Sequence, residues 1–195
     1  MRIFIFKKKI NNKSGDGFTL IEMVAVVGII VILSAIVLVN YRSGDSQLAL
    51  LRSANKLSQD IRRAQEMAMS AEEVNNKVYD RYGIHFDINP GAPDGKKSYI
   101  LFGDDGGNGA YQGDPPDKPI ETVNFEKNVE INQILASAGG SENSVQKISI
   151  TFQPPDPTTY ILESGENKIV VKIQLISGSN TKTVVVNKAG LIYVE

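Results

Sequence analysis

The sequence predicts an α+β fold in which one long N-terminal helix, membrane-spanning in its first half and amphipathic in its second, packs on a C-terminal antiparallel β-sheet head. Three observations support this prediction. Residues 18–40 are almost entirely apolar, residues 41–75 carry apolar side chains at helical spacing, and residues 76–195 alternate between apolar and polar side chains in short runs. Residues 1–17 form a basic segment ahead of the helix.

Basic residues are concentrated ahead of the apolar run, where only Asp16 opposes them. Because positive charge orients a membrane helix, residues 1–17 are expected in the cytoplasm and the residues after Tyr41 outside. Removal of residues 1–17 takes 21 basic groups to 16 and 22 acidic groups to 21, so the net charge changes from -1 to -5. Such a chain is not expected to bind nucleic acid in general, because phosphate neutralisation carries most of that affinity. The basic residues of the segment are Arg2, Lys7, Lys8, Lys9 and Lys13.

The apolar run reads FTLIEMVAVVGIIVILSAIVLV from Phe18 to Val39. As a helix it would be about 33 Å long, enough to cross a bilayer core of about 30 Å. A secretory signal peptide is one alternative, but its apolar region is shorter and ends at a small-residue cleavage site. A plain membrane anchor is a second alternative. Glu22 counts against it, since a carboxylate within an apolar helix costs about 2.5–3.5 kcal/mol and generally marks a function.

The stretch KKKINNKSGDG followed by FTLIEMVAVVGIIVIL resembles the leader and N-terminal helix of type IV prepilins and type II secretion pseudopilins. The resemblance implies that prepilin peptidase cuts between Gly17 and Phe18 and methylates the new amine of Phe18. It also implies that Glu22, fifth after the cut, assists filament assembly. Two features depart from the family: Val39 stands where many members have a proline, and without Cys the chain cannot form the C-terminal disulfide that many members have.

An apolar stripe predicts that the helix continues through residues 41–75, with charged residues on its opposite face. The stretch LRSANKLSQDIRRAQEMAMSAEE resembles the region after the membrane segment in minor pseudopilins of the GspH and FimT type. Together with the GFTLIE hexad, this favours a minor over a major subunit. The stripe comprises Leu50, Ala54, Leu57, Ile61, Ala64, Ala68 and Ala71.

Nine short runs in residues 76–195 predict strands, because they are rich in β-branched and aromatic residues and are separated by turn residues. Their pattern indicates an antiparallel arrangement. The runs are YGIHF, SYILF, IETVNF, VEINQIL, VQKISITF, TYILE, KIVVKIQLI, TKTVVV and LIYVE.

The most polar segment of the head, FGDDGGNGAYQGDPPDKPIETV, offers the hard oxygen ligands that Ca²⁺ prefers in flexible loops. Its spacing is not that of an EF-hand, and no bidentate Glu lies at the required place. Asp, Asn and Gly are also the usual residues of tight turns, so a turn without metal is the alternative. The candidate calcium ligands are Asp104, Asp105, Asn108 and Asp114.

The sequence contains no constellation typical of an enzyme. His85 is the sole histidine and lies within a predicted strand of alternating apolar and polar residues, which favours a structural role. Without Cys or a second His, the usual nucleophile-and-base arrangements have little support. No catalytic activity is therefore expected.

The resemblance implies a structural minor pilin or pseudopilin, held in the cytoplasmic (inner) membrane as a single-pass protein and then assembled into a type IV pilus or a type II secretion pseudopilus. Its expected partners are prepilin peptidase, the inner-membrane assembly platform, other pilins, and membrane lipid before assembly. Two alternatives stay open. One is a minor pilin of a DNA-uptake (competence) filament, which would need a basic patch on the head. The other is a membrane-anchored ligand- or calcium-binding module that does not polymerise.

Overall fold

The chain divides into two compact units, Met1–Arg42 and Ser43–Glu195. The predicted leader lies outside the described residues apart from Gly17. The computed structural model describes residues 17–92, 95–154, 158–163 and 166–195, with the backbone alone at 38–43 and 166–167.

One helix of 51 residues, α1, runs from Leu20 to Ser70. It ends in a Schellman motif, in which Ala71 adopts a left-handed φ of 46°. The Ala71 amide donates to the Ala68 carbonyl at 3.2 Å, and the Glu72 amide donates to the Met67 carbonyl at 3.0 Å. Residues 71–75 therefore lie outside the helix, although the apolar periodicity had predicted helix as far as residue 75.

The chain reverses direction just after the helix. Asn75 and Asn76 both have positive φ, 54° and 61°, and form a two-residue turn between Val74 and Lys77. Tyr82 secures this reversal, because its phenol oxygen accepts a hydrogen bond from the Tyr79 amide at 3.1 Å and donates one to the Glu72 carbonyl. The helix end is thereby joined to the first strand.

The strands form two antiparallel sheets. The six-stranded sheet has the order β3-β2-β1-β6-β7-β8, and the five-stranded sheet has the order β11-β10-β9-β4-β5. A short 3-10 helix, Gly95–Lys97, precedes β2. The strands are β1 (Arg81–Asp87), β2 (Ser98–Asp104), β3 (Lys118–Asn124), β4 (Glu130–Ser137), β5 (Asn143–Val145), β6 (Lys147–Gln153), β7 (Thr158–Glu163), β8 (Glu166–Asn167), β9 (Val170–Ser177), β10 (Asn180–Asn187) and β11 (Ile192–Val194).

The α+β class and the antiparallel pairing that the sequence predicts are confirmed. Each of the nine predicted runs contains a strand. The head has two sheets where the sequence predicted one, because β4 pairs with β9 and not with a strand of the six-stranded sheet. Two strands, β5 and β8, were not predicted, since they have only three and two residues and show no clear alternation.

The second half of α1 shares one hydrophobic core with both sheets. Ile84 and Ile150 contribute from the six-stranded sheet, and Ile131 and Ile173 from the five-stranded sheet; all four are fully buried. Six of the seven residues in the predicted stripe are buried, whereas Ala71 lies beyond the helix end and is exposed. The buried apolar residues of the helix are Ala49, Leu50, Ala54, Leu57, Ile61, Ala64, Met67 and Ala68.

Two ion pairs connect the exposed face of the helix with strand β3 and with the segment that follows β3. Arg52 binds Glu126 through two hydrogen bonds of 2.7 and 2.8 Å. Arg63 binds Glu121 of β3 at 2.8 Å. All four side chains are largely exposed, so solvent screens both pairs, which mainly set where the helix lies on the sheet.

Candidate functional site at the helix start and the acidic loop

The start of α1 is capped by the hexad itself. The Glu22 amide donates to Oγ1 of Thr19 at 3.3 Å, and the Met23 amide donates to the Thr19 carbonyl at 3.1 Å. Thr19 is thus the N-cap, and Glu22 is the third residue of the helix, the positions of a capping box. This capping role was not predicted from the sequence, although the spacing T-x-x-E is its signal. A carboxylate in the first turn also interacts favourably with the helix dipole.

The predicted cleavage site lies immediately ahead of this cap. Gly17 and Phe18 are outside the helix, and 77% of Phe18 is exposed. A Cβ built on Gly17 would meet no atom within 4 Å. The peptide bond between these residues therefore lies outside the helix and is accessible within the unit Met1–Arg42. Glu22 follows one helical turn later, so the structure places all three predicted residues at one end of α1.

The first part of α1 is apolar and unpacked. The 18 residues Leu20–Val37 have a mean hydropathy of 2.9, and none of them is buried. Among the described residues, this is one helix that is long and apolar enough to cross a membrane. The sequence prediction of such a helix is confirmed. Glu22 is the sole charged residue within it.

The four predicted calcium ligands have separate protein partners. Asp105 is paired with Lys77, and Asp114 with Lys118 at 2.6 Å. Oδ1 of Asn108 accepts the Ala110 amide at 2.9 Å, which is an ordinary Asx turn. Within the part of the chain that the structure describes, no three Asp, Glu or His residues are grouped so that they could hold a metal ion. These contacts favour the turn without a metal over the calcium site.

Asp104, the last residue of β2, organises the loop that follows it. Its side chain is fully buried. Oδ1 accepts the amides of Gly106 and Gly107 at 3.0 and 2.9 Å, and Oδ2 accepts the Gly109 amide at 2.6 Å. Nη1 of Arg81 lies 3.8 Å from Oδ2. The carboxylate therefore organises the loop, because three backbone N–H groups converge on its two oxygens.

A second buried carboxylate, Asp117, fixes the other end of the loop and was not predicted from the sequence. Oδ2 accepts the Gln112 amide at 2.6 Å, and Oδ1 accepts the Asp105 amide at 3.3 Å. Burial raises the pKa of Asp104 above its ordinary value, and the neighbouring Asp117 carboxylate acts in the same direction. The amide of Gly109 acts against both. We define the segment between these two aspartates, residues 105–116, as the acidic loop.

The middle of the acidic loop is hydrogen-bonded to the outer face of the six-stranded sheet, the face opposite the core that the sheet shares with α1. Oγ1 of Thr151 donates to the Gly109 carbonyl at 3.3 Å, and the Tyr111 amide donates to Oγ of Ser149 at 3.1 Å. A Cβ at Gly109 would lie 2.6 Å from Leu162 and 2.7 Å from Arg81, and φ is 77°. Any other residue would strain the backbone at this φ and displace the ends of the Leu162 and Arg81 side chains.

His85 lies beneath the acidic loop and is 2% exposed, as expected for a structural role. Its Nδ1 is 2.9 Å from Oγ of Ser149, and its ring lies 5.0 Å from that of Tyr111. Burial lowers the pKa of His85 to about 4, with the Lys147 charge acting in the same direction. The imidazole is therefore neutral at pH 7. Ser149 is also 2% exposed and already accepts the Tyr111 amide, so the pair does not present an accessible nucleophile.

Comparisons of the chain with protein-family models, with curated proteins and with solved structures found no match.

Proposed function

We propose that this chain is a structural, non-enzymatic subunit of the type IV pilin and pseudopilin kind, processed between Gly17 and Phe18 and assembled into a filament through its N-terminal helix. The observation that carries the proposal is the combination at the helix start. A basic segment, an accessible Gly17–Phe18 bond, a capped first turn and an unpacked apolar helix follow one another within residues 1–37.

The unpacked apolar helix needs two environments in turn. Before assembly, lipid covers Leu20–Val37, which places the protein in the cytoplasmic membrane with its basic segment inside. After assembly, the same residues are covered by the helices of other subunits. Prepilin peptidase, an assembly platform and other pilins are the partners that this sequence of events requires.

Glu22 has a specific part in the proposed assembly. Cleavage creates a cationic amine at Phe18, methylation keeps its charge, and both this amine and the Glu22 carboxylate are costly to hold among apolar helices unless they are paired. Because desolvation offsets much of the attraction, such a pair sets the register between helices more than it adds net stability. The Thr19 cap holds Glu22 in the first turn, where it is presented to the amine of a neighbouring subunit.

The second half of α1 and the two sheets form the head of the proposed subunit. Helix residues 49–68 belong to the core of this unit, so the helix that enters the filament is also part of the folded head. This packing supports the long-helix-on-sheet arrangement that we propose from the resemblance to minor pseudopilins. Formal net charge of -5 after processing does not favour a DNA-uptake role over secretion or adhesion.

Processing is tested by intact mass and N-terminal sequencing of the protein from cells with and without prepilin peptidase. We expect a mature chain that begins at methylated Phe18 in the first strain and the full chain from Met1 in the second. Gly17→Val, which adds a branched side chain at the cut, should block cleavage, whereas Ser14→Val should not. A chain that still begins at Met1 when the peptidase is active would contradict the proposal.

Assembly is tested by mass spectrometry of filaments sheared from the cell surface. Recovery of this subunit in the filaments supports the proposal. A processed chain that stays entirely in the membrane fraction while other subunits are recovered would instead support a membrane-anchored binding module.

A further inference from the structure

A cavity of about 400 Å³ opens between the acidic loop and the outer face of the six-stranded sheet. This volume is within the range of about 300–1,000 Å³ that is typical of small-molecule sites. The residues that line it and enter the argument are Asn108, Tyr111 and Gln112 from the loop, Lys147 and Ser149 from β6, and Leu162 from β7.

The walls of this cavity are held in place before any ligand arrives. The Tyr111 amide is bonded to Ser149, and the Gln112 amide is bonded to the buried Asp117. The Tyr111 ring packs against the neighbouring rings of His85 and Phe102, with both ring centroids 5.0 Å away. Because little loop ordering is left to occur on binding, a ligand would lose little affinity to that cost.

The charge of the lining has one sign. Lys147 is exposed at the cavity, and no lining residue is a carboxylate. Three other cavities of comparable size carry both signs: Asp80 with Arg81, Arg62 with Glu66, and Lys97 and Lys127 with Glu126 and Glu130. The cavity at Lys147 therefore favours an anion, whereas these others have no such preference.

The remaining lining groups fit a polyhydroxylated ligand. Asn108 and Gln112 carry side-chain amides, which can exchange hydrogen bonds with hydroxyl groups. Tyr111 and Leu162 supply apolar surface, against which the C–H face of a pyranose ring packs. We propose that this cavity binds one acidic sugar unit, a hexuronate, with its carboxylate on Lys147 and its ring against Tyr111.

The test uses the full mature chain in detergent micelles and saturation-transfer NMR, with D-glucuronate as the probe and D-glucose as its neutral counterpart. We expect transfer to the ring protons of glucuronate and much weaker transfer to glucose. Lys147→Gln should weaken glucuronate binding by about tenfold, the loss expected for one hydrogen bond to a charged group. Lys188→Gln, an exposed lysine on the β10–β11 turn, should leave it unchanged.

Tyr111→Leu should also abolish transfer, provided that its melting temperature shows it to be folded. If it does not fold, Lys147→Gln decides the question, because Lys147 is exposed and its removal leaves the fold intact. Absence of transfer from the wild-type chain, equal transfer to glucose and glucuronate, or equal binding by Lys147→Gln and wild type would each overturn the proposal.

Discussion

The phenol of Tyr99 donates a hydrogen bond of 2.5 Å to Oδ2 of Asp60, which joins strand β2 to helix α1. Tyr99 is 1% exposed and packs between the rings of Phe86 and Phe125. Burial raises the pKa of Tyr99 well above its ordinary value, and the bond to Asp60 acts in the same direction. The phenol therefore remains a donor at any physiological pH. Lys56 binds the same carboxylate oxygen at 3.2 Å.

Tyr99→Phe should lower the free energy of unfolding by about 1.5 kcal/mol, because it removes a hydrogen bond to a charged, partly buried acceptor. Urea unfolding of the full chain in micelles measures the loss. Tyr160→Phe is the matched control, since its phenol donates to the neutral Gln153 side chain at 3.1 Å. It should cost about 0.5 kcal/mol. Equal losses of unfolding free energy in the two variants would mean that the hydrogen bond to Asp60 stabilises the fold no more than a hydrogen bond to a neutral acceptor does.

Stability should fall in mild acid because of His85. Its pKa is about 4 in the folded chain and about 6.5 when unfolded, so the unfolded state binds the proton more readily. The contribution of the neutral His85 ring to the free energy of unfolding is fully present above pH 6.5. It is lost as the pH falls towards 4, by about 3 kcal/mol in total. Unfolding free energies measured from pH 7.5 to 4 test this. His85→Gln should flatten the slope between pH 6.5 and 5; an unchanged slope would assign the loss to carboxylates.

Asp104→Asn should destabilise the head by about 2–3 kcal/mol and speed hydrogen exchange in the acidic loop. The amide can replace one oxygen, but its NH₂ group then faces either the Gly109 amide or those of Gly106 and Gly107, which are donors themselves. Asp105→Asn is the control: its carboxylate is exposed and paired with Lys77, so solvent screens the pair and the loss of stability should be much smaller than for Asp104→Asn.

The same samples test the calcium prediction. Because the four candidate ligands already have protein partners, we expect the melting temperature to be the same in millimolar Ca²⁺ and in chelator. A rise in Ca²⁺ that Asp104→Asn abolishes would show that the loop binds the ion after rearrangement, since a ligand stabilises the state that binds it.

Ala71→Gly should stabilise the protein by about 0.5 kcal/mol. Alanine at a left-handed φ of 46° costs about 1–2 kcal/mol, which glycine avoids, and the greater freedom of glycine in the unfolded chain offsets part of the gain. Ala71 is exposed, so no packing is lost. Thermal unfolding measures the effect. Gln59→Gly, on the exposed face within α1, should instead destabilise by about 1 kcal/mol. A loss at both positions would contradict the Schellman assignment.

Glu22→Gln should leave processing intact and reduce entry of the subunit into sheared filaments, because it removes the charge and keeps the size of the side chain. Opposite charges about 4 Å apart attract by about 4 kcal/mol at an effective dielectric of 20, although desolvation offsets much of this. Thr19→Ala separates the roles, since it removes the helix cap and keeps the carboxylate. The measurement is the ratio of variant to wild type in filaments at equal membrane abundance.

Ser34→Ala, at another weakly polar position of the apolar helix, is the control and should assemble normally. Reduced assembly in Thr19→Ala but not in Glu22→Gln would assign the effect to the helix start rather than to charge. Equal incorporation of all three variants would remove Glu22 from the proposed assembly mechanism.

Local patterns predicted local structure here, and long-range contacts account for the rest. The apolar helix, the buried stripe and nine strands were readable because a face buried in the fold repeats at a fixed period. The division into two sheets could not be predicted from the sequence, because the pairing of β4 with β9 depends on residues far apart in the chain. Asp117 was missed for the same reason: in the sequence PPDKP it resembles a surface turn, and its burial follows from amides at residues 105 and 112.

The pairing of β4 with β9 also constrains the order in which the head forms during synthesis. Glu130 pairs with Ile176, a residue made 46 positions later. At about 5–20 residues per second, β4 waits about 2–9 s for its partner strand. Ile131 and Ile134 are fully buried in the finished head but uncovered during that interval. In the proposed subunit α1 is made first and enters the membrane early. Each chain then spends this period already tethered, where a holding chaperone or a neighbouring nascent chain would meet the same apolar strand.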